Sequence, residues 1–332
     1  MRWLITGGCG FLGLSLIKRL QQEDGHSFKV LDNLSVGTRE DLASVMDIIE
    51  TDVSTTLPDL QEGGCQLIIG DIRDAQIALD AASNIDVIVH FAANTGVPDS
   101  VENPRLDMES NVMGTFNMLE AARTKGIKRF VFASSGAPAG EVEPPIHEEL
   151  PAHPVSPYGA SKLAGEGYCS SYFRTYGIDT VSLRFGNVYG PGSKRKSSVI
   201  AKFIKLALEG VPVEIYGDGN QTRDFIYIDD LIDAVVKAAT VEKAGGETYQ
   251  VATATETSLN ELIDVLELAL EHKGIGLRVR HGDKRLGDVN RNYSDTSKAL
   301  NQLGWQARTS LEVGVERTVD WFVLRSVHLE AD

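Results

Sequence analysis

Cysteine is scarce in this 332-residue chain, with three residues at positions 9, 65 and 169 and no C-x-x-C or Cys/His spacing. That excludes a disulfide framework or a structural zinc site and suits a reducing, cytoplasmic setting. Proline is also sparse, at 11 residues, and the 32 glycines are dispersed without a low-complexity tract or a repeat of 20 to 50 residues, so solenoids and arrays are excluded. No apolar run approaches about 18 residues, which leaves no membrane span. At the N-terminus a short strand pattern runs straight into glycines, so no secretory leader is expected. Positive charge is in deficit: 32 Lys and Arg stand against 47 Asp and Glu, a formal charge of −15, and a polyanion such as nucleic acid is repelled.

What remains is a body of enzyme size with 42% hydrophobic residues. Short apolar runs at Trp3 to Thr6, Phe28 to Asp32, Gln66 to Ile69, Val87 to Phe91, Phe130 to Ala133 and Thr180 to Phe185 alternate with helical patterns. This alternation predicts an α/β fold with a doubly wound parallel sheet of the Rossmann type. Helices are expected over Gly10 to Gln22, Asn111 to Lys125 and Pro157 to Tyr176, the last with Ser156 as N-cap and Pro157 at its first position. Val45 to Gly64 reads as an irregular insertion. After Asn187 the alternation breaks at Gly190-Pro191-Gly192 and the basic run Lys194 to Lys196. A helix over Ser198 to Glu209 follows, then a return to the sheet over Phe225 to Ala239 and Thr248 to Val251. Smaller α/β pieces cover Ser258 to Lys273, Arg278 to Gly282 and Ser294 to Phe322. Two domains follow from this: residues 1–186 with about 224–252, and a discontinuous one from about 187–223 with 253–332.

Gly7, Gly10 and Gly13 form a G-x-x-G-x-x-G arrangement between the first strand and the helix after it. Glycines there let backbone approach a pyrophosphate, whose charge the helix N-terminus favours. Asp32, 19 residues after Gly13, ends the second strand, where a carboxylate binds an adenosine ribose and repels the 2′-phosphate of NADP, so the expected cofactor is NAD. Asp71-Ile72 is read either as an adenine border or as a helix-capping Asp71 with its neighbour. Tyr158 and Lys162 stand four apart on one helix face. A tyrosine has a pKa near 10, so a base at neutral pH requires a depression of roughly 3 units. A neighbouring ammonium and a cationic nicotinamide would supply it. Ser134 and Ser135 end a strand at the edge where open sheets bind ligands, and Ser135 can hydrogen-bond a reacting hydroxyl.

These motifs, with Ala92-Ala93, Asn111, Arg184 to Pro191 and Arg223 to Asp230, resemble the extended short-chain dehydrogenase/reductase family over nearly the whole chain. Asp32-Asn33-Leu34-Ser35 with Gly37, and Asp229-Asp230, are similar to its nucleotide-sugar epimerase/dehydratase branch. The resemblance implies that Tyr158 takes the proton of a sugar hydroxyl, with Lys162 lowering its pKa and Ser135 bridging to the same hydroxyl. Hydride passes to tightly held NAD, and a transient 4-keto sugar is reduced again from its other face. It also implies that Gly7, Gly10, Phe11, Leu12, Gly13, Asp32, Asn33, Asp71, Ile72, Phe91, Ala92, Ala93, Asn111, Tyr158 and Lys162 surround the cofactor. Asn187, Val199, Tyr216, Arg223, Arg285, Asp288 and Asn292, together with Ser135 and Tyr158, would meet the nucleotide sugar. No metal is implied. The helices over Asn111 to Lys125 and Pro157 to Tyr176 imply a homodimer.

Departures from the family pattern narrow the chemistry. Gly136-Ala137 stand where dehydratases carry Asp-Glu, so dehydration is not expected, and the Glu usual in UDP-glucuronate decarboxylases is missing too. Pro138-Ala139 replace the usual Val-Tyr, which predicts a reshaped sugar site. Asn292 stands where UDP-glucose-restricted 4-epimerases carry a large Tyr, leaving room for an N-acetyl group. The expected activity is that of an NAD-dependent UDP-hexose 4-epimerase acting on UDP-Glc/UDP-Gal and on UDP-GlcNAc/UDP-GalNAc. The alternatives are a UDP-glucuronate 4-epimerase, a CDP-sugar 2-epimerase, or a non-catalytic NAD-binding sensor.

Overall fold

The computed structural model describes residues 1–51, 60–195, 198–283 and 290–329. Eight parallel strands form the main sheet: β1 (Arg2–Thr6), β2 (Ser27–Asp32), β3 (Ile48–Thr51), β4 (Cys65–Ile69), β5 (Val87–His90), β6 (Arg129–Ser135), β7 (Asp179–Phe185) and, after four strands elsewhere, β12 (Glu247–Val251). Their order is β12-β7-β6-β5-β1-β2-β4-β3. Central strands such as β1 and β2 are buried along almost their whole length, because helices cover both faces. The chain winds outward from β1 to one side, then returns to build the other from β5. The switch point therefore lies between the carboxyl ends of β1 and β5, where open α/β sheets bind ligands.

One expectation is corrected here. The segment read as an irregular insertion contributes β3, which pairs with β4 as the outermost strand, while residues 52–59 lie outside the described residues. Its sequence, Ile-Ile-Glu-Thr, is mostly exposed at the sheet edge and so shows no buried apolar run. Of the expected return to the sheet region after Asn187, β12 joins the sheet and the helix Ile228–Thr240 packs on β6 and β7. Strand β11 (Phe225–Tyr227) pairs instead with β8 (Asn187–Tyr189), and the helix Ile228–Thr240 packs against the helix Phe11–Leu20. Two further two-stranded pieces, β9 (Val213–Tyr216) with β14 (Val279–Gly282) and β10 (Thr222–Arg223) with β13 (Thr257–Ser258), complete the strands.

The helix Pro157–Tyr176 forms with the expected bounds. The Ser156 hydroxyl accepts the Gly159 N–H at 3.1 Å, Pro157 occupies the first turn, and Gly177 ends the helix at φ +69°. The helix expected from Asn111 is Gly114–Lys125, entered through a π-helical turn over Glu109–Met113 that holds Asn111.

Candidate active site

The turn after β1 is closed by backbone touching backbone. Gly7 has φ +68°, and a Cβ there would lie 2.9 Å from the Ala92 nitrogen after β5. A Cβ on Gly13 would meet the Gly8 Cα at 2.4 Å. Gly10 starts the helix Phe11–Leu20 with no side-chain cap, so its positive N-terminal end is left for a ligand anion. Asp32 lies beside this turn, 8% exposed. Its two carboxylate oxygens accept the N–H groups of Cys9 at 2.9 Å and Leu34 at 2.8 Å. Burial pushes its carboxyl up, and these two bonds work against that. A dinucleotide fits these residues: bare glycine backbone for its pyrophosphate, an uncapped helix end for the charge, and a fixed carboxylate at the ribose position.

Asp71 turns out to cap no helix. Asp74 takes that role for Ala75–Ala81, and Asp71 instead holds Arg73 at 2.8 and 3.0 Å and accepts the Asn33 amide at 3.3 Å. The Arg73 hydrogen bonds hold its carboxyl below the usual range. Asn33 and Asp71, ends of neighbouring strands β2 and β4, are thus brought together. Ile72 closes against Gly114, where a Cβ would lie 2.5 Å from the Ile72 side chain, and the Asn117 amide holds the Ile72 carbonyl at 3.0 Å.

Behind Ala92-Ala93 runs a chain of hydrogen bonds that the sequence did not advertise. Thr6 Oγ1 meets His90 Nδ1 at 2.7 Å, and His90 Nε2 meets Thr115 Oγ1 at 3.1 Å. Thr115 gives its own proton to the Asn111 carbonyl at 2.6 Å, so His90 must donate from Nε2 and accept at Nδ1 from Thr6. The ring is neutral in this arrangement, since burial and the Lys162 charge push its pKa down to about 3. The Asn111 side chain in turn holds both backbone groups of Asn94, at 2.8 and 2.9 Å, and reaches Asp107 and Ser161 at 2.9 and 3.1 Å.

Ser135, Tyr158 and Lys162 converge at the end of β6. The Ser135 hydroxyl accepts the Ala137 N–H at 3.2 Å and hydrogen-bonds the Tyr158 phenol. Burial pushes the Tyr158 phenol up, and the Ser135 bond opposes that. Lys162, 3% exposed, donates to the Ala133 carbonyl at 2.8 Å and lies 5.9 Å from the centre of the Tyr158 ring. Burial pushes its pKa down to about 8, against the pull of Asp107 and Glu166. Beneath this pair the Glu166 carboxylate takes Arg184 in a two-pronged bond at 2.7 and 2.8 Å and the Ser134 hydroxyl at 2.5 Å. Glu166 lies four residues past Lys162, a spacing by which it could have been found. Pro138 and Ala139 are both buried in a tight turn, and the Ala137 carbonyl would lie 2.7 Å from a Cβ on Gly159.

The remaining candidates are more scattered. Asn187 opens β8 and donates its N–H to the Asp224 carbonyl at 2.8 Å. Arg223 follows Thr222 in β10, and its guanidinium reaches the Thr222 carbonyl at 2.7 Å. Asn292 donates its N–H to the Thr222 hydroxyl at 3.2 Å, which places it against the same strand. Tyr216 ends β9, and its carbonyl accepts the Gln221 amide at 2.9 Å. Val199 starts the helix Val199–Leu208. Asp224, missed in the sequence, is the hub: its buried carboxylate accepts from Thr253, Ala254 and Ser294 at 2.6 to 3.3 Å. Arg285 and Asp288 lie outside the described residues, as does Lys196. Lys194 and Arg195 are not merely solvated; they pair with Asp41 at 2.9 and 3.0 Å, and Arg195 donates to the Val36 carbonyl at 2.7 Å, tying this loop to the segment after Asp32.

Known proteins share this sequence family and fold. A model of the NAD dependent epimerase/dehydratase family matches residues 3–252. The UDP-glucose 4-epimerase of Mycolicibacterium smegmatis is 36% identical over 97% of this chain and 98% of its own length. Among solved structures, the UDP-glucose 4-epimerase of Thermotoga maritima with UDP-glucose superposes with a TM-score of 0.86 at 31% identity, covering 98% of this chain and 100% of that one. The UDP-N-acetylglucosamine 4-epimerase of Methanobrevibacter ruminantium, in complex with UDP-N-acetylmuramic acid, gives 0.85 at 30% identity and 98% of both. The turn after β1, the buried Asp32 and the Ser135, Tyr158 and Lys162 cluster thus have a common explanation: the chain belongs to the NAD-dependent epimerase/dehydratase family, and it is an enzyme of the epimerase class, an isomerase whose cofactor is NAD.

Proposed function

We propose that this enzyme inverts C4 of UDP-hexoses, interconverting UDP-Glc with UDP-Gal and UDP-GlcNAc with UDP-GalNAc. The observation that carries the reading is the meeting of Ser135, Tyr158 and Lys162 at the carboxyl edge of β6, with Gly136 and Ala137 rather than a second acid and base beside them. Such a set can remove and return one hydroxyl proton and offers no second acid and base at 136–137 for eliminating water. Gly7, Gly10, Phe11, Leu12 and Gly13 would hold the pyrophosphate of NAD, Asp32 and Asn33 its adenosine ribose, Asp71 and Ile72 the border of the adenine, and Phe91, Ala92, Ala93, Asn111 and Lys162 the nicotinamide half. When bound, NAD would supply a hydride acceptor and donor for C4, on either face of the sugar.

The chain's own residues handle the proton. Tyr158 Oη takes it from the C4 hydroxyl as the ketone forms and gives it back as the ketone is reduced. Ser135 Oγ bonds the same oxygen and holds it near the phenol. The Lys162 ammonium favours the phenolate by its charge, in a site dry enough for that charge to act strongly. Asn187 and Arg223, with Arg285, would bind the diphosphate, Tyr216 and Val199 would border the nucleotide, and Asp288 and Asn292 the sugar. We place this substrate half in residues 187–223 and 253–332 and the NAD half in 1–186 and 224–252. Among the described residues no helix is long and apolar enough to cross a membrane. Cys9, Cys65 and Cys169 are buried free thiols, which suits the cytoplasm.

Each purified sugar nucleotide, UDP-Glc, UDP-GlcNAc and UDP-GlcA, should be incubated with the enzyme and its anomeric protons followed by NMR. C4-inverted products are expected from the first two. Turnover of UDP-GlcA alone, or of none, defeats the reading. Tyr158→Phe should lower kcat by about 10³-fold or more while NAD stays bound. We further infer a homodimer, because Leu106, Met108, Met113 and Tyr168 are large apolar side chains left exposed on the helices flanking the site. Light scattering should give twice the chain mass, and Met113→Glu with Tyr168→Glu should give the monomer.

A further inference from the structure

Asp107 has no part in the reading above, yet it is the carboxylate built into the back of the site. It lies in the short helix Pro104–Met108, is 1% exposed, and among the described residues forms no ion pair. Its Oδ1 accepts the Asn111 amide at 2.9 Å, and the Ser161 hydroxyl hydrogen-bonds the same carboxylate. Ser161 also reaches the Tyr158 carbonyl at 3.0 Å. The cluster is short of protons. The two amide hydrogens of Asn111 and the one hydroxyl hydrogen of Ser161 face the Asn94 carbonyl, Asp107, Ser161 Oγ and the Tyr158 carbonyl. Burial pushes the Asp107 carboxyl up, and the Ser161 hydroxyl and the Lys162 ammonium work against that.

We propose that Asp107 is a positioning residue of the epimerase reaction, whose buried carboxylate is the counter-charge behind the Tyr158 and Lys162 pair and fixes Asn111 and Ser161 against the Tyr158 backbone. The proposal rests on Tyr158 acting as the base. The charge acts on both partners in one direction: it favours the ammonium of Lys162 and disfavours the phenolate of Tyr158. The other titratable groups around it are few. The helix Pro157–Tyr176 presents Tyr158 and Lys162, with Glu166 and Cys169 behind Lys162, and β5 presents the neutral His90. Arg105 of its own helix pairs outside with Glu109 of the following turn, at 3.5 Å, and the helix Val97–Glu102 packed against it carries Asp99 and Glu102, both exposed.

Asp107→Asn keeps the side-chain carbonyl that meets Asn111, removes the charge and puts an amide donor in place of the second oxygen. Both limbs of the pH profile of kcat/KM should then move to lower pH, by on the order of one unit, because Lys162 loses its proton earlier and so does Tyr158. A role in packing alone would lower the plateau and leave the limbs in place. Asp107→Glu should restore the profile. The same shift is expected without substrate, in an ultraviolet difference titration of the holoenzyme's phenolates, with Tyr158→Phe subtracted to isolate Tyr158. Should Asp107→Asn not fold, Asp107→Ser must show the shift. Unmoved limbs together with an unmoved phenolate midpoint overturn the proposal. A moved midpoint in an enzyme that turns over no nucleotide sugar upholds the role of Asp107 and removes the assigned activity instead.

Discussion

Around Gly7 to Gly13 the chain touches itself through backbone, whereas around Asn187, Arg223 and Asn292 it is organised by one residue, Asp224, whose carboxylate takes Thr253, Ala254 and Ser294 and whose carbonyl takes the Asn187 N–H. Three glycines of the first region, Gly7, Gly8 and Gly13, tolerate little variation, because a methyl group on each would come within 3.0 Å of another atom. The second holds its partners through hydrogen bonds to main-chain groups and leaves the side chains facing the cleft free to differ. On the proposed assignment, the cofactor half is set by contact distances and the sugar half by residues hung on a common hub.

The sharpest way to break this contrast is Gly13→Ala. The added carbon lands 2.4 Å from the Gly8 Cα, and a loss of stability at the upper end of about 1–3 kcal/mol is expected, with NAD lost on gel filtration. A melting temperature like the parent's would show that the turn can open. A smaller effect belongs to His90, also in the backbone-tight region. Its pKa near 3 in the folded chain lies below the ordinary value near 6.5, so the unfolded chain binds more protons between these values and stability falls as pH falls through that window. Urea unfolding at successive pH values should show a slope of up to about 1.4 kcal/mol per unit that His90→Gln removes. An unchanged slope would place the acid sensitivity elsewhere. Asn292→Tyr, in the variable region, should leave stability within about 0.5 kcal/mol and depress turnover of the N-acetyl sugars selectively. Equal losses on both sugar types would refute its part in selectivity.

The backbone-tight region was legible in the sequence for the reason that makes it tight: glycines at fixed spacing, a strand before them and an acid after the next strand leave a local pattern. The helix Pro157–Tyr176 was legible down to its ends because cap, proline and terminal glycine are local signals. Strand β3 was not, since an edge strand with one buried residue lacks the apolar run that marks its neighbours. The link of Lys194 and Arg195 to Asp41 joins residues more than 150 positions apart, and charge alone does not reveal such partners. How Pro138-Ala139 pack was not legible, because a missing aromatic ring says nothing of the buried turn these residues form. Asp107 was hidden differently. It stands four residues before Asn111, but the π-turn between them alters the helical phase on which such a spacing is normally read.

That turn has a consequence for how the protein can be altered. Each residue of a helix rotates the chain by about 100°, so deleting one residue within Glu109–Met113 would turn the helix Pro104–Met108 by that angle relative to Gly114–Lys125. Asp107 would swing away from Lys162, and the apolar side chains of Leu106 and Met108 would be carried around with it. The outer surface and the electrostatics behind Tyr158 are geared together by a single surplus residue, and neither can be re-phased without the other.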